Sequence, residues 1–272
     1  MPQAPRSLPR MGLGTYRLQG EAVIASVTSA LELGYRLIDT AQMYDNESEV
    51  GEAIRQSGVP RDDIFLTTKV WWDRLTHDEL IASLEESVKK LDVDQLDLAL
   101  IHWPSPRDEV PMESTLAALN EAREKGLTRH IGVSNFTMAQ IDRALAAPGG
   151  EHLLTNQIEV HPYLANRRLA EHCQARGLQV TGYMPLAVGK VMQDPVLQDI
   201  AKVHDVTPAQ VALAWVAARD ITVIPSSTRP AHQKANLDAM RLKLSDDDIR
   251  RIDALDAGER IANPDFAPDW DE

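Results

Sequence analysis

Apolar positions along the chain follow two alternating rhythms. Short β-type runs occupy residues 11–14, 36–38, 64–69, 96–101, 131–133, 155–159, 179–182 and 221–224. Between them apolar residues recur at helical spacing, as with Leu80, Ile81, Leu84, Val88 and Leu91. Helix starts are legible. Thr76 and Glu79 have the spacing of a capping box, with Leu75 and Leu80 placed as a hydrophobic staple. Thr207, Pro208 and Gln210 supply an N-cap, an N1 proline and an N3 glutamine. Ser245 opens a last helix whose inner face is Ile249, Ile252 and Leu255. Eight strands, each followed by a helix, without a Ser/Gly-rich linker, predict an α/β fold of one domain over residues 1–272. The expected architecture is a closed (β/α)8 TIM barrel, with residues 257–272 as a C-terminal loop. A doubly wound sheet shares the alternation, but its dinucleotide-binding form needs GxGxxG after the first strand. The chain has GLGTYRL there, with Arg17 at the third glycine position.

In a barrel the chemistry gathers at the carboxyl ends of the strands. The second strand ends in Asp39, with Tyr44 in the loop behind it, the third in Lys69 and the fourth in His102. The fifth ends in Ser134 and Asn135, the sixth carries Gln157, the seventh Tyr183, the eighth Ser226 and Ser227. Singly each has a bland reading: a capping carboxylate, a rim lysine, a satisfied core histidine, a packed tyrosine. Together an acid, a tyrosine, a lysine and a histidine on three consecutive strand ends have a common use. A phenol of pKa about 10 is a poor proton donor to a carbonyl. A nearby ammonium is expected to lower that pKa, and a buried carboxylate to hold the ammonium in place. A histidine on the next strand can fix the carbonyl oxygen. Such a set protonates a developing alkoxide and needs a separate hydride donor.

Composition narrows the partners. A formal charge of −13 opposes a broad nucleic-acid or anionic-membrane surface. No apolar run approaches the roughly 20 residues that span a bilayer, and the start lacks a signal-peptide core. Cys173 is the only cysteine, so no intrachain disulfide forms. No HExxH or clustered His/Cys pattern points to a metal. A cytoplasmic protein, monomeric given its acidic surface, is expected. His161, a lone histidine before proline, reads as structural.

GYRLIDTAQMYDNE, TTKV, LIHWP, IGVSNF, NQIEVHPY and IPSS, in this order, resemble the aldo-keto reductases over nearly the whole chain. The resemblance implies NADPH bound across the barrel mouth, Tyr44 as general acid tuned by Lys69 and Asp39, and His102 orienting a small-molecule carbonyl substrate. It implies that Ser134, Asn135 and Gln157 hold the nicotinamide carboxamide and that Tyr183 stacks on its ring. Leu186, Ser226, Ser227, Thr228, Arg229, His232 and Asn236 fall at further cofactor positions, and Tyr16, Trp71 and Trp103 at substrate positions. The IPSST segment and the ending DFAPDWDE are similar to the bacterial branch acting on 2,5-diketo-D-gluconate and methylglyoxal, which implies small, polar keto or aldehyde substrates of diketogluconate, methylglyoxal or 2-oxo ester type. Trp72 and Trp270 remain open between pocket and packing.

Two departures from the family pattern stand out. The common IPKS lysine is Ser226 here, and the arginine six residues on is His232. Both changes remove charge from the 2′-phosphate site, leaving Arg229 and the start of the following helix to supply it. An NADPH preference with tolerance of NADH is expected. MPQAPRSLPR has no alternating apolar pattern, so the β-hairpin that plugs the barrel floor in many relatives is expected to be missing. Two other functions fit some of these residues: a nucleotide-binding regulatory barrel without turnover, and a hydrolase or lyase using Asp39 and His102.

Overall fold

In a computed structural model describing residues 8–271, eight parallel strands pair in sequence order. They are β1 (Leu13–Gly14), β2 (Leu37–Asp39), β3 (Phe65–Val70), β4 (Leu96–Ile101), β5 (Thr128–Ser134), β6 (Leu153–Glu159), β7 (Gln179–Tyr183) and β8 (Ile221–Val223). The ring closes where Met11 bridges Val223, with Gly12 N donating to Val223 O at 2.8 Å and Gly14 N to Pro225 O at 3.1 Å. The chain therefore folds as a single-domain (β/α)8 barrel.

Helices α1 (Gly20–Leu33), α2 (Glu47–Gln56), α3 (His77–Leu91), α4 (Met112–Glu124), α5 (Met138–Ala146) and α6 (Arg167–Ala175) follow the first six strands. Two, α7 (Pro195–His204) and α8 (Pro208–Ala217), separate β7 from β8; α9 (Pro230–Ala239) and α10 (Asp246–Asp253) come after it. Because strand side chains alternate in direction, the core has two layers. Ile38, Leu66, Val70, Ala99, Ile101, Ile131 and Val133 pack outward against the helices. Leu37, Phe65, Leu98, Leu100 and Ile224 fill the barrel interior together with Leu8. Each such buried aliphatic side chain contributes roughly 1.5–3 kcal/mol. Gly51, inside α2, permits a close helix contact: a Cβ there would lie 2.3 Å from Leu91 O at the end of α3.

Some elements depart from expectation. β5 begins at Thr128 rather than 131, because polar Thr128 and His130 still pair with Leu96 and Leu98 through the backbone. The Thr76–Glu79 capping box does not form: Thr76 donates its hydroxyl to the Glu79 carboxylate and caps no backbone N–H. The boxes of Thr207 with Gln210 and Ser245 with Asp248 do form. The expectation of a missing N-terminal hairpin falls largely on residues 1–7, outside the described residues. From Leu8 onward the approach to β1 contributes to the barrel interior.

Candidate active site

The carboxyl ends of β2, β3 and β4 bring Asp39, Lys69 and His102 to one mouth, and the short turn after β2 adds Tyr44. Lys69 has no exposed side-chain surface. Its ammonium donates to Asp39 Oδ1 at 2.5 Å, Thr40 O at 2.9 Å and Tyr44 Oη at 3.2 Å, which uses all three of its hydrogens. Gln157 Nε2 donates to the other Asp39 oxygen at 2.8 Å. Because Tyr44 Oη accepts from Lys69, the phenolic hydrogen is free to point elsewhere.

Burial opposes the Lys69 charge, but Asp39 and Tyr44 outweigh it and raise its pKa. For Tyr44 the balance corrects the sequence expectation. Burial raises the phenol pKa, and the opposing pull of Lys69 offsets only part of that rise. The phenol therefore keeps its proton at neutral pH, held against an ammonium that would stabilise the phenolate once the proton leaves. His102 is pushed well below its ordinary range by burial and then by Lys69, so its imidazole is neutral. Its ring stands edge-on to Tyr44 at 5.7 Å and to Trp71 at 5.0 Å, and Nδ1 is buried without a partner.

On the neighbouring strand ends Asn135 adopts a left-handed backbone, φ 63°, which asparagine tolerates better than most residues. Its Nδ2 donates to His102 O at 3.0 Å and Ser134 Oγ at 3.2 Å, while Oδ1 accepts from Tyr183 Oη at 2.7 Å. Ser134 Oγ donates to Gln157 O at 2.8 Å. These residues form one cluster across β4 to β7, directly beside Asp39. Leu186 lies half-buried just after β7.

Beyond β8, Ser226, Thr228, Arg229 and His232 are exposed around the start of α9, and Ser227 is half-buried. Arg229 makes no ion pair among the described residues. The loop is tied down by Gln233, which the sequence reading passed over. Fully buried, it donates to Ser227 O at 2.8 Å and Ser26 O at 2.9 Å. Asn236, one turn further along α9, is also buried.

Among the residues expected at substrate positions, Tyr16 packs against Tyr44 with ring centroids 5.1 Å apart. Trp71 and Trp103 both meet Phe266 edge-on, at 5.6 and 5.5 Å. Trp72 lies 5.4 Å from Phe266, and Trp270 lies 6.0 Å from Trp103, which places both open tryptophans in the same aromatic wall. Phe266 was not foreseen, although one of only three phenylalanines standing in a polar tail was a usable signal. Asn46 was also passed over. It is completely buried, donates to Thr15 O at 3.0 Å and Leu18 O at 2.9 Å, and accepts from Thr40 Oγ1 at 2.7 Å. It thereby joins the loop bearing Tyr16 to the one bearing Tyr44. Among the described residues no His/Cys/Asp/Glu group could hold a metal, and no helix is long and apolar enough to cross a membrane.

This geometry suits proton delivery to a carbonyl. The model of the Aldo/keto reductase family matches residues 10–257. The chain is an aldo-keto reductase. The reductase is 51% identical over 266 residues to methylglyoxal reductase DkgB of Escherichia coli O157:H7, covering 97% of this chain and 100% of that one. It is 37% identical to the glyoxal reductase of Bacillus subtilis (strain 168), over 95% and 93% of the two chains. It superposes with a TM-score of 0.92 on a crystal structure described as a 2,5-diketo-D-gluconic acid reductase B, at 43% identity over 97% and 94% of the chains. It is an oxidoreductase acting on carbonyl groups, in a family that uses nicotinamide cofactors.

Proposed function

We propose that the reductase uses NADPH to reduce small, polar 2-oxo aldehydes and keto sugar acids, of which methylglyoxal and 2,5-diketo-D-gluconate are the first candidates. The observation that carries this reading is the relay from Asp39 through Lys69 to Tyr44, at 2.5 and 3.2 Å. The names of the similar enzymes support the substrate class.

The residues fit a nicotinamide dinucleotide. Arg229 is an exposed cation, unpaired among the described residues, at the start of a helix in an otherwise acidic chain, and it suits a phosphate. Ser134, Asn135 and Gln157 present amide and hydroxyl groups for a carboxamide, and Tyr183 offers a ring face at the mouth. Leu186, Ser226, Ser227, Thr228, His232 and Asn236 complete the lining. NADPH, when bound, supplies hydride from its nicotinamide ring.

The chain's own residues do the rest. Neutral His102 donates a hydrogen bond to the substrate oxygen and sets its position. Tyr44 Oη passes its proton to that oxygen as negative charge develops there. The Lys69 ammonium stabilises the phenolate left behind, and Asp39 keeps that ammonium charged and aimed. Trp71, Trp103, Phe266 and Tyr16 exclude water and bound the substrate. The single buried cysteine, Cys173, and the acidic composition support a cytoplasmic monomer.

Steady-state kinetics with NADPH and NADH, on methylglyoxal and 2,5-diketo-D-gluconate, test the reading. The specificity constant with NADPH should exceed that with NADH. Equal constants remove the cofactor preference, and no carbonyl-dependent oxidation of either cofactor removes the substrate class.

A further inference from the structure

Glu159, at the end of β6, is a completely buried carboxylate for which the proton relay has no use. Among the described residues no lysine or arginine lies within ion-pair distance of it. Its Oε1 is 2.8 Å from Nε2 of His161, whose side chain is equally buried. The remaining donors come from one place. Ile261 N donates to Oε1 and Ala262 N to Oε2, each at 2.7 Å. Burying an ionised carboxylate is unfavourable unless its oxygens are satisfied, so these two amides are bound where Glu159 puts them. These contacts, chiefly with His161, outweigh burial and hold the Glu159 pKa below its usual range.

Beyond Ala262 the chain builds the aromatic wall. Phe266 reaches Trp71, Trp72 and Trp103, Trp270 reaches Trp103, and Asp271 Oδ2 accepts from Met138 N at 2.7 Å at the start of α5. Glu159 pairs in register with Tyr183, two residues beyond Gln157 with its bond to Asp39. One strand end thus carries both a contact to the relay and the grip on the tail.

We propose that Glu159 is a positioning residue: its buried carboxylate pins residues 261–262, and so sets the placement of Phe266 and Trp270 and the fit of the carbonyl substrate. The substrate part of this rests on the function proposed above; the grip itself does not.

The test is a cycle of four proteins: the intact chain, Glu159→Gln, a chain ending at Asn263, and the combination. Gln keeps the size of the side chain but offers only one acceptor. In the intact chain it should raise the substrate KM about tenfold, with kcat and NADPH affinity, read by NADPH fluorescence, within about twofold. In the shortened chain it should change KM by less than about twofold, because the tail it acts through is gone. A tenfold effect that persists there, a parallel loss of cofactor affinity, or no effect in either background overturns the proposal. A second readout needs no turnover. Trypsin cleavage of the Arg260–Ile261 bond, followed by mass spectrometry, should be about tenfold faster in Glu159→Gln, and an unchanged rate overturns the grip. If the intact chain reduces no carbonyl while this bond is released, the function fails and the grip stands. Should Glu159→Gln not fold, Ala262→Pro removes one donor from the tail side, leaves the Arg260–Ile261 bond open to trypsin, and must give the same release.

Discussion

Replacing Asp39 by asparagine separates the electrostatic role of the buried pair from the chemistry of the phenol. In the native protein Lys69 has no exposed surface, and Asp39 is its only charged acceptor. Asp39→Asn leaves an ammonium facing neutral oxygens, and breaking one side of a buried pair costs about 3–5 kcal/mol. The sign of the pH dependence is set by Lys69. Its raised pKa depends on Asp39 and Tyr44 overcoming burial. Without Asp39, burial prevails and the folded pKa drops below the unfolded value of about 10.4. The variant then escapes part of the penalty by losing the lysine proton at high pH and cannot do so at low pH. Its destabilisation, read by urea unfolding, should therefore grow as pH is lowered from about 9 to about 6. Tyr44→Phe is the control. It removes one 3.2 Å contact and should alter stability by less than about 1 kcal/mol while turnover falls roughly 100- to 10,000-fold. The reasoning is wrong if Asp39→Asn costs under about 1 kcal/mol with no pH trend, or if Tyr44→Phe reduces carbonyls at the native rate.

Three further outcomes are expected. Since burial and Lys69 hold His102 well below its ordinary range, kcat/KM for reduction should show no limb near pH 6.5, and a limb there that vanishes in His102→Gln would contradict a neutral imidazole. Arg229→Ala should raise the KM for NADPH about tenfold and leave that for NADH within about twofold; equal losses would remove Arg229 from the extra phosphate. Asn46→Ala, by removing the bonds to Thr15 O and Leu18 O and the acceptor of the buried Thr40 hydroxyl, should destabilise the fold by about 1–3 kcal/mol in urea titrations, and a change below about 1 kcal/mol would show that the two loops do not depend on it.

Much of the barrel was legible because alternation is a local signal. The strands after Ile64 and before His102 needed only neighbouring residues, and Asp39, Lys69 and His102 could be assigned to one mouth once parallel strands were inferred. Quantities that depend on packing were not legible. The net pKa of Tyr44 is set by how deeply its hydroxyl is buried, which no spacing reveals. Thr76 and Glu79 have capping-box spacing, yet their side chains bond one another, because two geometries share that spacing. The tail was the least visible part. Phe266 finds Trp71 and Trp103 only after the whole ring has closed, and the partner of Ile261 and Ala262 is a glutamate on β6.

The depth of Lys69 has a consequence for an enzyme that acts on carbonyl groups. A free amine at the mouth would condense with such substrates to an imine and be trapped as a covalent adduct. Lys69 is sealed from solvent and kept as ammonium by Asp39, so it has neither the access nor the lone pair that condensation requires. The same contacts that aim its charge at Tyr44 guard it against glycation.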